Sequence, residues 1–293
     1  MAVHGDQRHR AIAEQIIFRI GKGLDSHILP KPFEIARVVF ACGCPLRCTA
    51  KNVFCICNMA DPARMIDVHM RENAIVKVEL MKARHSVRWF TDTPLAADTV
   101  DALNAEIAAC NREGGLHIQL ITEEPEAFQA EKPTYGQFKG CKNYLALVGP
   151  KGKDEQIGYY GERVVLKAQV LGVNSCWVAL TYKKGKAHVA IETGEKLYMV
   201  VALGYGANQG VAHKTKALSE ISDYTQGDPD WFRAGLEAAL LAPTAMNQQK
   251  FRFERSGDKI TARAGFGFYT KTDLGIVKYH FELGANKGKE VWA

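Results

Sequence analysis

Two short, continuous apolar runs constrain the fold of this chain more than any other feature. Residues 144–148 read Tyr-Leu-Ala-Leu-Val, and a second run extends from residue 197 to 203, where Gly204-Tyr205-Gly206 interrupts it. Runs of this length are typical of β-strands that are buried on both faces. They therefore predict central strands of a sheet that other elements must cover.

Helical periodicity indicates the covering elements. A helix is predicted over residues 72–82, and the residues after Asp98 repeat apolar positions at spacings of three and four until Gly114-Gly115. The same pattern predicts three further helices: residues 154–171 with Gly172 behind them, one that Asp228-Pro229 opens and Pro243 ends, and a last one from Asp273 to Leu283. The three aspartates are predicted N-caps, because a carboxylate can accept from the free N–H groups of a first helical turn.

Alternation and turn residues predict the remaining strands. Residues 116–120 alternate in polarity, and residues 251–254 and 260–264 flank Ser256-Gly257-Asp258 as the two arms of a hairpin. The expected fold class is therefore α+β, with a mixed sheet flanked by helices.

Composition argues against several classes of protein. The net charge is only +6, and no eighteen apolar residues run together, so neither nucleic-acid nor membrane binding is expected. The first residues are charged where a secretory signal needs an apolar stretch, so we expect a cytoplasmic protein with free thiols. Cys110, Cys141 and Cys176 lie in apolar surroundings, which predicts that they pack in the core.

The first 69 residues lack sustained periodicity and contain five cysteines. These fall in Cys42-x-Cys44-x-x-x-Cys48 and Cys55-x-Cys57, whereas structural zinc sites usually place two to four residues between paired ligands. We interpret residues 1–69 as a leader that is disordered or precedes the true start, with a metal-binding leader as the alternative. The folded domain is expected over residues 70–293.

Two basic segments are candidates for binding an anion. Arg84-His85-Ser86-x-Arg88 could close on a dianionic phosphate with two guanidinium groups, a hydroxyl and backbone N–H groups. His213-Lys214-Thr215-Lys216 follows the strand predicted over residues 197–203. For each segment the alternative interpretation is a solvated basic loop.

A third segment, Pro243-Thr244-Ala245-Met246-Asn247-Gln248-Gln249, connects a predicted helix to a predicted strand. Its amide and hydroxyl groups both donate and accept hydrogen bonds, so they suit the ribityl chain or the amide edge of a flavin. The same residue types are also common in ordinary turns.

Together these segments resemble the FMN-dependent nitroreductase family. Its early Arg-Arg/His-Ser-x-Arg/Lys-x-Phe segment, which holds the FMN phosphate, is matched by residues 84–90 at every fixed position. Its Pro-Ser-x-x-Asn-x-Gln-Pro-Trp-x-Phe segment is matched at Pro243, Asn247, Gln249 and Phe253, with Thr244 for Ser and Lys250-Phe251 for Pro-Trp. The resemblance covers residues 71–293, and it implies that Lys214 and Lys216 also reach the phosphate.

The order of the segments departs from ordinary members of the family. Those are obligate dimers in which the Pro-Ser segment soon follows the first motif and faces the partner subunit's flavin, whereas here it lies some 150 residues later. This order resembles a smaller branch in which one chain contains two half-domains that mimic the dimer. It implies half-domains at about residues 70–225 and 226–293 and a monomer with one FMN. Arg84, Ser86 and Arg88 would lie on one side of it, and Thr244, Asn247 and Gln249 on the other.

The implied function is a reductase in which NAD(P)H reduces bound FMN and a small nitroaromatic, quinone or similar acceptor takes two electrons. No catalytic side chain is predicted. Arg88 or a nearby backbone N–H group is expected to stabilise negative charge on the reduced pyrimidine edge. The alternatives are a flavin-binding protein without turnover and a reductase with a Cys-rich, metal-binding leader.

Two other features suggest sites but are interpreted as structural. His280 lies among apolar residues of the last predicted helix, so we expect a hydrogen-bonded core histidine. Gly204-x-Gly206-x-x-x-Gly210 follows a predicted strand, but its third glycine is out of step with a dinucleotide fingerprint and no helix signal follows.

Overall fold

The structure, a computed structural model, describes residues 77–129 and 136–293 of the chain. Four strands form one sheet in the order β1-β2-β4-β3, namely β1 (Gln119–Ile121), β2 (Asn143–Pro150), β3 (Asn174–Val178) and β4 (Glu195–Gly204). Its ladders are antiparallel, and parallel pairing within the described ranges is limited to single bridges such as Ser86 with Ser175. The predicted leader, its five cysteines and predicted helix residues 72–76 lie outside the described residues.

The central strands β2 and β4 confirm the prediction from the two apolar runs. Along β2, residues 143–149 are all buried. Tyr144 and Ala146 pack on one face of the sheet, whereas Leu145 and Leu147 pack on the other. This is the period of two that an extended strand imposes, and it shows that the sheet is covered on both faces.

Helices cover one face of this sheet, and a hairpin packs with the last helices in a separate core. The helices are α1 (77–83), α2 (Ala97–Gly114), α3 (Asp154–Val170), α4 (Leu218–Ile221), α5 (Asp230–Ala239) and α6 (Thr270–Ala285), and the hairpin pairs β5 (Phe251–Ser256) with β6 (Lys259–Ala264). Leu103 of α2 and Val164 of α3 belong to the core on one face of the sheet. Phe253 of the hairpin and Phe281 of α6 stack in a separate core with their ring centroids 5.1 Å apart.

These elements confirm the α+β class, while the half-domain boundary near residue 225 stays a prediction. In the two described ranges, no helix combines the length and the apolar character that a membrane span requires.

Two of the predicted N-caps are wrong because the chain enters each helix differently. Ala96 is the N-cap of α2, which places Asp98 inside the first turn. Pro229 is the N-cap of α5. The carboxylate of Asp228 instead accepts from the guanidinium of Arg255, with 2.6 Å between Oδ1 and Nη2. Its other oxygen accepts from the backbone N–H of Thr225 at 2.7 Å, so the carboxylate is engaged by these two residues and not by the first turn of α5.

Two predicted boundaries also move. The strand predicted over residues 116–120 is observed over Gln119–Ile121, because the side chain of Asn111 binds both backbone groups of Ile118, at 2.8 and 2.9 Å. The helix predicted to end at Pro243 ends at Ala239, so the proline lies in the connection to β5 and not at the helix end.

Helices α3 and α6 approach each other through two glycines. A Cβ atom at Gly158 would lie 1.9 Å from the carbonyl oxygen of Thr272, and one at Gly275 would lie 1.9 Å from that of Glu155. Such distances are far below van der Waals contact, so the crossing requires glycine at both positions. It places α6 directly against the helix that covers the sheet.

We therefore expect Gly158→Ala and Gly275→Ala each to lower the free energy of unfolding by about 3 kcal/mol, because backbone atoms must move apart to admit the methyl group. Urea denaturation of the purified protein measures the change. Gly185→Ala is the control, since a Cβ there meets nothing within 4 Å. Equal stability of all three variants would contradict the close crossing.

Candidate functional site

The segment from residue 84 to 90 leaves α1 and runs along the edge of the sheet. The Val87 N–H donates to the carbonyl of Ser175 in β3 at 2.9 Å, and the Phe90 N–H donates to that of Lys139 at 2.8 Å. Val87 and Phe90 are buried, whereas Ser86 and Arg88 are exposed. The extended backbone thus presents Ser86 and Arg88 to the surface, as a phosphate-binding segment requires.

Arg84, the first residue of this segment, is buried and does not reach the surface. Its side chain is only 2% exposed, and its Nε lies 3.8 Å from Oε1 of the fully buried Glu162. Burial lowers the pKa of the Arg84 guanidinium, while the negative charge of Glu162 opposes that shift. Its Nε and Nη1 atoms have no hydrogen-bond partner. The arginine predicted to bind phosphate is therefore directed into the protein. Two of its nitrogen atoms make no hydrogen bond there.

Glu162 organises the interior around that arginine. Its carboxylate accepts from the indole of Trp177 at 2.8 Å and from Nε2 of His280 at 2.9 Å. The other ring nitrogen of His280 lies 3.2 Å from the Ala238 carbonyl, which confirms a hydrogen-bonded core histidine. Sequence reasoning gave Glu162 no role in the site, because its partners come from three distant parts of the chain.

The basic loop, residues 209–216, contacts the first motif at one end. The carbonyl of Gln209 lies 3.1 Å from Nδ1 of His85. A Cβ atom on Gly210 would lie 2.8 Å from the Cβ of His85, and the φ of Gly210 is +67°, so this close approach favours glycine. The loop is therefore fixed to the segment that carries Ser86 and Arg88.

The other end of the basic loop binds the Pro243–Gln249 segment. The carbonyl of Lys214 accepts from the amides of both Asn247 and Gln249, at 2.8 and 2.7 Å. Nζ of Lys216 donates to the Gln249 carbonyl at 2.9 Å. One of the three N–H donors of this ammonium group, which was predicted to bind phosphate, is therefore already engaged. Lys214 itself is exposed. One loop thus joins two motifs that lie far apart in the sequence.

The amides predicted to face a flavin are largely engaged within the protein. Gln249 is 3% exposed, and its Nε2 also donates to Oδ1 of Asn247 at 2.8 Å. The Thr244 hydroxyl accepts from the Gln249 N–H at 3.1 Å. Pro243 and Thr244 are half-buried, and Asn247 is exposed. These side chains therefore fix the shape of the segment, and Asn247 borders the surface.

The backbone of this segment is unusual. Met246, Asn247 and Gln249 have φ values of +53°, +52° and +45°, in the left-handed region that non-glycine residues rarely adopt. Strained conformations persist only where surrounding contacts hold them, and they cluster at binding sites. The hydrogen bonds to Lys214 and Thr244 provide such contacts.

Asp273 supplies a further support that the sequence interpretation misassigned. Its position inside the first turn of α6, which begins at Thr270, makes the predicted N-cap wrong. The carboxylate instead accepts from the backbone N–H of Ala245 at 3.0 Å and from Nε2 of Gln248 at 2.8 Å. Desolvation raises its pKa to about 6, although these donors oppose the shift.

The buried thiols and the glycine run behave as expected. Cys110, Cys141 and Cys176 are buried, which confirms core packing. Burial raises the pKa of the Cys176 thiol even though Arg88 and Ser86 lower it, so the group is a poor nucleophile.

No helix follows β4 directly, since the next one is α4 at Leu218–Ile221, and a dinucleotide fingerprint is therefore absent from this described part of the chain.

Comparison with known proteins identifies relatives of this chain. The family model described as "Putative TM nitroreductase" matches residues 77–285. A "putative nitroreductase" from Thermotoga maritima MSB8 shares 20% identity at a TM-score of 0.50, over 71% of this chain and 82% of that one, which shows a shared fold. Among curated proteins, none matches.

Two further solved structures match over about half of this chain. A proposed NADH dehydrogenase/NAD(P)H nitroreductase from Parabacteroides distasonis has 16% identity and a TM-score of 0.41, over 52% of this chain and 98% of its own. A nitroreductase with bound FMN from Bacteroides fragilis has 20% identity and a TM-score of 0.37, over 52% and 95%.

Asp273 gives a pH-dependent prediction. Its pKa of about 6 in the folded protein exceeds the 3.8 of an ordinary aspartate, so the folded state favours the protonated carboxyl group. The stability that protonation contributes is therefore fully present below pH 4 and is lost as the pH rises through 6. The loss should approach about 3 kcal/mol. In Asp273→Asn this loss should disappear, and the variant should gain stability relative to the natural protein between pH 4 and 7. Urea unfolding across that range measures it, with exposed Asp258→Asn as control; parallel profiles for the natural protein and Asp273→Asn would contradict the assignment.

Proposed function

Because the chain belongs to the nitroreductase family whose model spans residues 77–285, we propose that it is an FMN-dependent oxidoreductase that uses NAD(P)H. The observation that carries this proposal is the basic loop. It binds His85 of the first motif at one end and Asn247 and Gln249 of the second at the other. The loop thereby connects two segments whose side chains suit different parts of one cofactor, which supports the proposal.

The residues present fit the phosphate of FMN. Ser86, Arg88 and Lys214 are exposed, and no carboxylate among the described residues forms an ion pair with either cation. A phosphate would supply the missing negative charge and accept several hydrogen bonds. Buried Arg84 has two nitrogen atoms without a hydrogen-bond partner, while Glu162 balances its charge. A terminal phosphate suits such a cluster, which favours FMN over FAD.

The second segment is proposed to hold the ribityl chain and the ring. Asn247 borders the surface, while Thr244 and Gln249 fix the strained backbone that positions it. Pro243 begins this segment. The chemistry that FMN supplies when bound is two-electron transfer from NAD(P)H to a nitroaromatic, quinone or similar small acceptor. A backbone N–H group near the ring is proposed to stabilise negative charge on the reduced pyrimidine edge, since the phosphate would engage Arg88. A flavin-binding protein without turnover is the competing function.

The FMN proposal predicts that Arg88→Ala weakens FMN binding by about 1 to 2 kcal/mol, through loss of a charge-assisted bond at an exposed site. Fluorescence titration of the apoprotein measures the dissociation constant. Lys151→Ala removes another exposed cation, after β2, and should leave binding unchanged. Release of FAD by heat, or absence of any flavin after reconstitution, would contradict the proposal. FMN that binds but is not bleached by NADH or NADPH without oxygen would favour the function without turnover.

The site is proposed to be complete within one chain, because a single loop connects both motifs. Asn247→Ala removes a donor to Lys214 and an acceptor for Gln249, which should weaken FMN binding by about 1 to 3 kcal/mol. Mixing this variant with Arg88→Ala should then restore neither tight FMN binding nor activity. If mixed samples with verified subunit exchange recovered both, the site would lie between subunits, and the FMN assignment would still stand.

A further inference from the structure

Three large apolar side chains stand in solvent beside the candidate site. Phe266 is 98% exposed, Phe268 is 80% exposed and Met246 is 90% exposed. Phe266 and Phe268 lie in the Gly265-Phe266-Gly267-Phe268-Tyr269 loop, which we call the aromatic loop, between β6 and α6. Clustered exposure of this kind costs hydration free energy and usually marks a surface that binds something.

The aromatic loop is fixed to the Pro243–Gln249 segment. The Gly265 N–H donates to the Lys250 carbonyl at 2.8 Å, and Nε2 of Gln248 donates to the Phe268 carbonyl at 2.7 Å. A Cβ atom at Gly267 would lie 2.6 Å from Oε1 of Gln248, so the Gln248 side chain packs directly against the loop backbone there. The phenyl rings are therefore held outward by a defined backbone.

The last residue of the aromatic loop, Tyr269, lies near Tyr182. Tyr269 lies near enough to Tyr182 to raise the pKa of its hydroxyl, in addition to the larger effect of burial. The neighbouring Thr181 and Nε of Arg88 both lie within 4 Å of a Cβ atom placed on Gly136. The loop is thus fixed to the second motif, and its last residue lies near Tyr182, whose neighbour Thr181 borders the Arg88 region.

From this placement, and resting on the proposed function, we infer that Phe266 and Phe268 bind the electron acceptor and select planar, uncharged aromatic compounds over small inorganic acceptors. Their rings offer apolar faces on which an aromatic ring can stack. A bound aromatic compound would also remove the apolar surface of both rings from water, which is favourable. Phe266 and Phe268 are therefore assigned as specificity-determining residues, separate from those proposed to hold FMN.

Binding to the oxidised, FMN-loaded protein without NAD(P)H tests this inference apart from turnover. Isothermal titration with 4-nitrobenzyl alcohol should show affinity about tenfold weaker in Phe266→Ala/Phe268→Ala than in the natural protein. Phe266→Tyr/Phe268→Tyr keeps both rings and should bind within about twofold of the natural protein. Val170→Ala, which changes a side chain 57% exposed at the end of α3, is the matched control and should have no effect.

Turnover supplies the second readout. With ferricyanide as acceptor, kcat/KM of the double alanine variant should equal that of the natural protein, while kcat/KM for the nitroaromatic should fall about tenfold. Unchanged nitroaromatic affinity, or an equal loss with ferricyanide, would overturn the inference. So would a change of sedimentation coefficient without a change in ligand affinity, since the loop would then be an interface with a second copy.

The two proposals fail in different ways. Absence of FMN from the reconstituted natural protein would overturn the proposed function and this inference together. Normal FMN affinity in the double alanine variant, combined with unaltered binding of 4-nitrobenzyl alcohol, would overturn only the assignment of Phe266 and Phe268.

Discussion

The contacts of the buried Glu162 carboxylate are the interactions on which the rest of the structure depends. It lies on α3 and contacts Trp177 of β3, His280 of α6 and Arg84 at the start of the first motif. Removing a carboxylate from water costs several kcal/mol, so this group persists because donors and positive charge surround it. It therefore joins the helix that covers the sheet, the sheet itself, the last helix and the motif.

The contact between α3 and α6 extends that constraint to the candidate site. Gly158 and Gly275 let the two helices approach until their backbones touch. The position of α6 places Asp273 where its carboxylate binds Ala245 and Gln248. The close packing of the two helices thus positions the carboxylate that fixes the loop carrying Asn247.

The candidate site itself combines rigid and exposed parts. The strained backbone of the Pro243–Gln249 segment is held by hydrogen bonds to the basic loop and to Asp273. Polar, charged and apolar groups are left at the surface: Ser86, Arg88 and Lys214 of the two basic segments, and Phe266 and Phe268 of the aromatic loop. The proposed site is therefore partly preorganised, because the strain of this segment is already met by the fold.

The sequence by itself determined the α+β class, the buried central strands, most helices and the hairpin, because hydrophobic period and glycine placement are local properties. It also identified the segments that the basic loop joins, through their resemblance to one family. Tertiary structure alone decided that Arg84 turns inward to Glu162, that Asn247 and Gln249 bind Lys214, and that Asp228 and Asp273 serve distant partners instead of capping helices. In each case a polar group had several possible partners, and the choice depended on which backbone or charge the packed fold brought within hydrogen-bond distance, which no local pattern encodes.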